Sequence, residues 1–509
     1  MKSLMTRETS WAYRSVLALA AVTVLVGLWA RVWKLGFPGE RMWDEIYFPV
    51  MARKFLEGVY QFDLHPPLGK FIIAVGIVLF GDTPIGWRVM PLLFGAAMIP
   101  LGAALGWYLF RERVAALLLA AFIAGETFLI AYSRTGIMDL ILVFLTLATL
   151  LAALRVERPP QVIWVAVLLG LAIGVKWAVF MVVVPVGYVL WRKGLFRYFL
   201  AGLWVSAIVY IVIVYVGALV AATTIPNPQG SPWWSYPWEA WQLTWAWHLD
   251  AAKKVTAAIP NPWGSPWWSW PLMLRTIRLS PLHATAEGDL QVIVAIGNPV
   301  LWYGSTLAVV AGIVEAARRL VARKPIADDP LVPILLGYVS LLLPWIPGTR
   351  IPYIYNYLPS YAFALMALVY WLLRFWGRRP WGPWVVVAFT ALALASTLYF
   401  LPLAAGLPIS YDFLQQHIWL DSWYYQSSEV PYTQRRPARP PRRIPSDALT
   451  LFAWWEGAKG EDGGDPRAAT RATRRGRSCS WGSSCASART APRRRRGSTP
   501  RRCRWWPQA

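Results

Sequence analysis

Long apolar stretches alternate with short polar loops along the first 400 residues of the chain. They lie near residues 12–33, 87–109, 114–132, 137–154, 161–175, 177–191, 198–221, 290–316, 331–346, 353–373 and 381–402. Many of them approach the length of roughly 20 residues with which a helix crosses a bilayer core. The pattern therefore predicts an all-α integral membrane protein with about eleven transmembrane helices.

Composition supports this prediction. The chain is 57% hydrophobic and only 15% charged, whereas soluble domains are about 25% charged. The net charge of +24 lies mostly in the tail after Tyr432 and in short loops, so it indicates membrane orientation rather than nucleic-acid binding. The three cysteines all lie in that tail, so no disulfide or cysteine metal site is expected among the helices: Cys479, Cys485 and Cys503.

Basic residues occur in alternate loops. The loops that share a side with the N-terminus carry Arg111, Arg113, Arg155, Arg158, Arg192, Lys193, Arg197, Arg318, Arg319, Arg323, Lys324, Arg374, Arg378 and Arg379. Because cytoplasmic loops are enriched in Lys and Arg, this predicts a cytoplasmic N-terminus. An odd number of helices then places the C-terminus outside. The first apolar run has no small-residue cleavage site and is interpreted as a retained helix.

Two long outer loops separate the helices. The predicted organisation is the N-terminus and first helix in 1–33, an outer loop in 34–86, helices 2–7 in 87–221, a Trp/Pro-rich outer loop in 222–289, helices 8–11 in 290–402 and a C-terminal segment in 403–509. That last segment is Arg-rich and predicted to be disordered from about residue 433. Residues 71–80 form an apolar run too short to span, which favours an interfacial or re-entrant position.

The second outer loop contains a near-duplicate, Ile-Pro-Asn-Pro-x-Gly-Ser-Pro-Trp-Trp-Ser, at residues 225–235 and 259–269. Trp side chains favour the membrane–water boundary, so one interpretation is an interfacial anchor. Aromatic faces also pack against sugars and peptides, and a substrate-facing role is the open alternative.

Ionisable side chains collect at outer helix ends and in outer loops, next to lipid, where they are expensive unless functional. They are Asp44, Glu45, Asp63, Lys70, Arg88, Arg134, Asp139, Lys176 and Arg350. No phosphate-binding Gly-rich loop, paired His spacing or Gly-x-Ser-x-Gly elbow is present. Carboxylates and cations suit sugar transfer from a lipid phosphate, since a carboxylate can deprotonate an incoming hydroxyl and cations can stabilise the leaving phosphate.

The motifs resemble those of protein O-mannosyltransferases over roughly residues 35–400. They are Asp44-Glu45, His65-Pro66-Pro67-Leu68-Gly69-Lys70, Gly86-Trp87-Arg88, Ser133-Arg134 with Asp139, Gly174-Val175-Lys176-Trp177, Ser265-Pro266-Trp267-Trp268-Ser269-Trp270-Pro271 and Tyr355-Asn356-Tyr357-Leu358-Pro359. The resemblance implies a GT-C membrane glycosyltransferase that inverts the anomeric centre. Its donor would be polyprenyl-phosphate-mannose and its acceptors Ser or Thr hydroxyls of exported polypeptides, with no cofactor or metal indicated.

By this resemblance Asp44 is the expected base, Glu45 supports it and Arg88 holds the donor phosphate. The other substrate-binding candidates are His65, Lys70, Arg134, Asp139, Lys176, Trp177 and Arg350. Structural alternatives stay open: a rigid turn at His65, a snorkelling anchor at Arg88, and an Arg134–Asp139 ion pair between helix ends.

The chain departs from the family pattern at Asn261-Pro262, where His-Pro is common, and it lacks a domain-sized insertion in the second outer loop. This favours a bacterial-type enzyme. Membrane lipid and, as a further candidate, the protein translocation machinery are expected partners. The nearest rival function is a GT-C transferase that adds a sugar such as aminoarabinose to a lipid; a transporter would instead carry charges at mid-membrane depth.

Overall fold

The computed structural model describes residues 2–58, 65–222, 263–346, 352–377 and 380–423, together with residues 235, 238, 239, 242 and 246. All of them belong to one compact unit, Met1–Gln434. The Arg-rich tail predicted to be disordered lies outside the described residues.

Helices dominate the described chain. They are α1 (Lys2–Val32), α2 (Phe48–Leu56), α3 (Leu68–Phe80), α4 (Pro84–Phe110), α5 (Arg113–Gly125), α6 (Thr127–Ser133), α7 (Asp139–Arg155), α8 (Val162–Ile173), α9 (Val183–Arg192), α10 (Phe196–Ala222), α11 (Pro299–Val321), α12 (Leu331–Leu342), α13 (Leu358–Trp376), α14 (Gly382–Ala405) and α15 (Tyr411–Gln416). Short 3-10 turns connect several of them, at Trp43–Ile46, Pro159–Gln161, Trp177–Val182, Trp267–Ser269, Leu343–Trp345, Ile354–Tyr357 and Asp421–Trp423.

Two small antiparallel strand pairs lie before α11, where no strand was expected. β1 (Ile277–Arg278) pairs with β4 (Val294–Ala295), and β2 (His283–Ala284) pairs with β3 (Leu290–Gln291). The predicted span 290–316 therefore begins too early. Its helix starts at Pro299, because the Asn298 side chain accepts hydrogen bonds from the next free backbone N–H groups and proline suits the first helical position.

The chain is a multi-pass membrane protein. Within the described residues, six helices are long and apolar enough to cross a membrane: Ser10–Val32, Pro84–Phe110, Phe196–Gly217, Pro299–Val321, Ile354–Trp376 and Gly382–Ala405. Helices α5 and α6, which meet at a bend of 59°, would make a seventh if they form one broken span. Four further apolar helices are shorter, so the predicted number of eleven spans is not confirmed: Leu68–Phe80, Pro159–Ile173, Trp177–Arg192 and Leu331–Trp345.

Helix α6 lies at the centre of the bundle, and every one of its residues is buried. Its N-terminus is capped by Glu126, whose carboxylate accepts from the Phe128 N–H. Its C-terminal end leads directly into Arg134 and Gly136. By contrast, the outer face of α10 is apolar and exposed, with Trp204 at 76%, as expected for a surface in contact with lipid. The buried helix α6 therefore delivers side chains to the candidate site.

Candidate active site

Glu45 is clamped on the 3-10 turn Trp43–Ile46. Its Oε1 accepts from Arg88 Nε at 2.8 Å and from the Gly136 N–H at 2.6 Å. Its Oε2 accepts from Arg88 Nη2 at 2.8 Å and from the Met42 N–H at 3.0 Å. The side chain is fully buried. With four donors on its two oxygens, Glu45 fixes the turn and has little capacity left to take a proton.

Arg88 lies beneath this turn, in the first turns of α4, and is also fully buried. Besides the two bonds to Glu45, its guanidinium donates at 2.8 to 3.2 Å to the carbonyl oxygens of Leu35, Pro38 and Glu40. A guanidinium has five N–H donors, and all five are used here. This arrangement does not agree with the phosphate-binding role expected of Arg88, because no donor remains for a ligand; the side chain instead holds the first outer loop on α4.

Asp44 precedes Glu45 on the same turn and is half-buried, whereas Glu45 is fully buried. The residue before it, Trp43, adopts a left-handed backbone conformation with φ of +48°. Such a conformation is unfavourable for a bulky residue and persists only where surrounding contacts impose it. Asp44 is therefore the more exposed carboxylate of the pair, on a turn held in a fixed shape.

Lys176 and Asp139 form a second buried ion pair. Lys176 Nζ donates to Asp139 Oδ1 at 2.7 Å, and the two side chains are 9% and 6% exposed. The same ammonium lies 5.4 Å from the ring centre of Tyr355 and 6.0 Å from that of Phe48. Two aromatic faces and one carboxylate thus surround the cation.

A cavity extends from this pair toward apolar parts of the bundle. Its polar lining comes from Asp139, Lys176, Tyr355 and Asn356. The rest of its lining is apolar: Leu142, Val143, Ala178, Val179, Leu341, Trp345, Leu358 and Pro359. The cavity is therefore amphipathic, with one cation at its polar end.

The His-Pro-Pro turn packs against the loop that carries Lys176. The Leu68 N–H donates to the Gly174 carbonyl at 3.1 Å. Lys70 is buried, and its Nζ donates to the His65 carbonyl at 2.6 Å. In this arrangement Lys70 fixes the turn, and the turn supports the segment before Lys176. The ring of His65 lies 6.2 Å from that of Phe48, which also contacts Lys176.

Arg134 is fully buried and holds the end of α1. Its guanidinium donates to the carbonyl oxygens of Ala30, Arg31, Trp33 and Lys34. A cation is favourable at these carbonyls because the C-terminal end of a helix is negative. Burial, and to a smaller extent the charge of Arg88, lowers the pKa of Arg134 to about 9, so it remains charged at neutral pH. The ion pair considered between Arg134 and Asp139 does not form, because Asp139 pairs with Lys176.

Trp177 is half-buried, and its indole N–H donates to the Tyr210 hydroxyl of α10 at 3.0 Å. This contact packs the segment after Lys176 against the bundle. Arg350 and Asp63 lie outside the described residues, so their expected contributions stay predictions.

The second copy of the duplicated motif joins the segment before α13. The Ser265 N–H donates to the Pro352 carbonyl at 2.9 Å, and the fully buried Trp270 donates to the Ser265 carbonyl at 3.1 Å. The first copy, at residues 225–235, falls almost entirely outside the described residues. The described copy therefore lies among the loops around the site.

Sequence reasoning missed a buried polar group at the bend between α5 and α6. Glu126 accepts from the Tyr361 hydroxyl at 2.7 Å and from the Asn298 N–H at 2.9 Å. Nearby, Arg31 donates to the Ala124 carbonyl at 2.8 Å and to Ser133 Oγ at 3.1 Å. The available signal was a charge inside each of two long apolar runs, Glu126 in 114–132 and Arg31 in 12–33. Among the described residues, no group of three or more His, Cys, Asp or Glu side chains could hold a metal ion.

Three family models match successive parts of the chain. Two carry the description "Dolichyl-phosphate-mannose-protein mannosyltransferase" and match residues 21–87 and 64–220. The third, "C-terminal four TMM region of protein-O-mannosyltransferase", matches residues 238–423. The chain belongs to the protein O-mannosyltransferase family.

A polyprenol-phosphate-mannose–protein mannosyltransferase of Mycobacterium tuberculosis is 24% identical over 469 residues, which cover 76% of this chain and 87% of that protein. The enzyme of the same name from Mycolicibacterium smegmatis is 30% identical over 163 residues, but this alignment spans only 30% of either chain. The chain also superposes on a structure of the Saccharomyces cerevisiae Pmt1-Pmt2 complex bound to the sugar donor, with a TM-score of 0.69, 16% identity and coverage of 81% and 93%. This likeness shows the GT-C fold.

Proposed function

We propose that this protein O-mannosyltransferase transfers mannose from polyprenyl-phosphate-mannose to Ser or Thr hydroxyls of exported polypeptides. The names of the mycobacterial relatives support the donor and the protein acceptor. One structural observation carries the proposal: the Asp44 turn, locked by Glu45 and Arg88, lies in the same group of loops as a cavity that has a cation at its polar end.

The proposed reaction is a single displacement. The acceptor oxygen attacks the anomeric carbon of mannose, a new carbon–oxygen bond forms, and the bond to the phosphate oxygen breaks. Asp44 takes the proton of the acceptor hydroxyl, as a carboxylate can do when it is within hydrogen-bond reach. Polyprenyl phosphate leaves with the bonding electron pair, so the anomeric centre is inverted.

Lys176 is the side chain that fits the phosphate. Its ammonium has three donors, of which one binds Asp139. A lysine provides a compact charge for phosphate, and in a buried site that charge stabilises the leaving group more than it would in water. Asp139 holds the ammonium in place.

Glu45 and Arg88 act in this proposal as positioning residues. They do not touch the substrate; they fix the turn on which Asp44 lies. The His-Pro-Pro turn and Lys70 do the same for the segment that carries Lys176. Catalysis of this kind depends on geometry that is set before the reaction begins.

The reaction is proposed to take place on the extracytoplasmic side. The candidate site forms at one end of the helices, whereas the basic loops lie at the opposite end, and basic loops favour the cytoplasm. Contact with the protein translocation machinery stays a prediction.

The test is a transfer assay with purified protein, radiolabelled polyprenyl-phosphate-mannose and a peptide rich in Ser and Thr. We expect label in the peptide and none in a matched peptide in which Ala replaces every Ser and Thr. Label in an added lipid A acceptor, with none in the peptide, would instead support the rival transfer to lipid. Absence of label in both acceptors would contradict the proposed activity.

A further inference from the structure

An aromatic row lies beside Asp44. The ring of Trp43 lies 5.8 Å from Tyr353, that of Tyr353 stacks on Tyr355 at 5.5 Å, and that of Tyr355 lies 6.1 Å from Tyr132. The four side chains come from three separate segments: the Asp-Glu turn, the segment before α13, and α6. We refer to Trp43, Tyr353, Tyr355 and Tyr132 as the aromatic row.

The two ends of this row carry polar atoms without partners. Within the described part of the chain, neither the Tyr132 hydroxyl nor the Trp43 indole nitrogen has a hydrogen-bond partner, although both atoms are buried. Tyr132 is fully buried, and its ring stacks on Phe128 at 4.8 Å with an interplanar angle of 25°. Since buried polar groups are normally paired, each exception calls for an explanation.

The row connects the two groups that the proposed reaction uses. Trp43 is the residue next to Asp44, while Lys176 lies over the face of Tyr355. The Tyr355 ring in turn lies 6.1 Å from that of Tyr132. The row thus joins the turn that carries the proposed base to the ring beneath the proposed phosphate ligand.

The chemistry of the row fits a hexopyranose. A sugar ring has an apolar C–H face that packs on aromatic rings, and hydroxyls that accept from a tyrosine or an indole and donate to carboxylates. A phosphate is less suitable at Tyr132, because a neutral hydroxyl supplies one donor and no positive charge. We infer that the aromatic row is the binding site for the sugar of the donor, with the Tyr132 hydroxyl donating a hydrogen bond to a sugar hydroxyl.

This inference rests on the proposed function and names the part of the site that recognises the sugar. Tyr132 is fully buried, so the sugar reaches its hydroxyl only when a neighbouring side chain moves. In this inference that side chain is Tyr355, whose ring lies 6.1 Å from that of Tyr132. Because the Lys176 ammonium lies over the same ring, phosphate binding at Lys176 and movement of Tyr355 are coupled. The carrier phosphate and the sugar would then be recognised by different residues.

The experiment compares the binding of two lipids to purified protein: polyprenyl-phosphate-mannose and polyprenyl phosphate without sugar. Tyr132→Phe keeps the ring stack and removes only the hydroxyl. We expect it to weaken binding of the mannosyl lipid by about three- to tenfold, the effect of one neutral hydrogen bond. Binding of bare polyprenyl phosphate should not change.

Tyr338→Phe is the matched control, because it makes the same change at a buried tyrosine whose hydroxyl already bonds that of Tyr357. It should leave the ratio of the two affinities unchanged. Thermal unfolding of Tyr132→Phe should match or exceed that of wild type, since no internal hydrogen bond is lost. Equal weakening of both lipids, or no weakening of either, would overturn the assignment of Tyr132.

The sugar site and the proposed function can fail separately. If wild type transfers mannose to peptide but Tyr132→Phe keeps the wild-type preference for the mannosyl lipid, the aromatic row is not the sugar site and the proposed function stands. If wild type neither transfers mannose nor prefers the mannosyl lipid, the proposed function itself is contradicted.

Discussion

The two ends of the helical bundle use charge in different ways. At the end that carries the candidate site, two ion pairs are buried: Glu45 and Arg88 are both 0% exposed, and Lys176 and Asp139 are 9% and 6% exposed. Other pairs in the same outer loop are exposed, with Arg41 and Asp82 at 31% and 30%. At the opposite end the pairs reach solvent, with Arg192 and Asp328 at 37% and 88% and Arg319 and Glu315 at 20% and 24%. The buried pairs fix the geometry of the candidate site, whereas the more exposed pairs at the opposite end hold loops and helix ends together.

Burying an ion pair is costly because both ions lose their hydration, and the attraction between them often does no more than offset this loss. A buried pair is therefore poor evidence for stability but good evidence for a geometric requirement. At the site end, that requirement is a fixed Asp44 turn and a fixed Lys176 ammonium. The pairs at the opposite end are partly hydrated, so they join α11, α13 and the segment before α12 at a smaller cost.

The largest effect on stability is expected for Arg88→Ala. This substitution leaves Glu45 buried without its cation and removes three bonds to loop carbonyls, so it should lower the free energy of unfolding by about 3–5 kcal/mol. Thermal unfolding in detergent, followed by tryptophan fluorescence, measures the change. A variant as stable as wild type would contradict the buried clamp.

An intermediate effect, on the affinity for the lipid, is expected for Lys176→Met. This substitution keeps the length of the side chain and removes its charge. Loss of a charge-assisted hydrogen bond to phosphate should weaken binding of both polyprenyl phosphate and its mannosyl form by about 10- to 100-fold. Tyr132→Phe, which affects only the mannosyl form, is the contrasting variant. Unchanged affinity for bare polyprenyl phosphate would place the phosphate elsewhere.

The smallest effect on stability and on mannose transfer is expected for Arg319→Ala, at the end of the bundle opposite the candidate site. Arg319 contacts Glu315 and Asp329 at 2.9 and 2.6 Å, but the pair is partly hydrated. Pairs of this kind contribute about 1 kcal/mol or less. Unfolding and mannose transfer should both stay close to wild type. A loss as large as that of Arg88→Ala would remove the contrast between the two ends.

Much of the fold could be predicted because apolar length and loop charge are local properties of the sequence. The apolar runs coincide with α1, α4 to α10 and α12 to α14, although several helices are short, as with Leu331–Leu342. The start of α11 was misplaced because the run after residue 290 is apolar throughout. The cap at Asn298 and the strand pairing of Val294 with Arg278 depend on contacts that the pattern does not contain.

The site could be predicted as a set of residues but not as a set of roles. The sequence suggested a phosphate ligand at Arg88, but it could not show that three loop carbonyls and Glu45 would use every donor. Nor could it show that Lys176 would pair with Asp139, 37 positions away. Tyr132 gave no signal, since a tyrosine in an apolar helix is ordinary until its hydroxyl is found buried and unpaired.

The central claim is that Glu45 positions the turn while Asp44 takes the proton. The most direct test measures the rate of mannose transfer by Asp44→Asn at saturating donor, together with the thermal unfolding of this variant. The account predicts a fall in rate of about 10²- to 10⁴-fold, with donor affinity and unfolding close to wild type. Glu45→Gln should instead lower stability as well as rate. Transfer by Asp44→Asn at a rate near that of wild type would contradict the account.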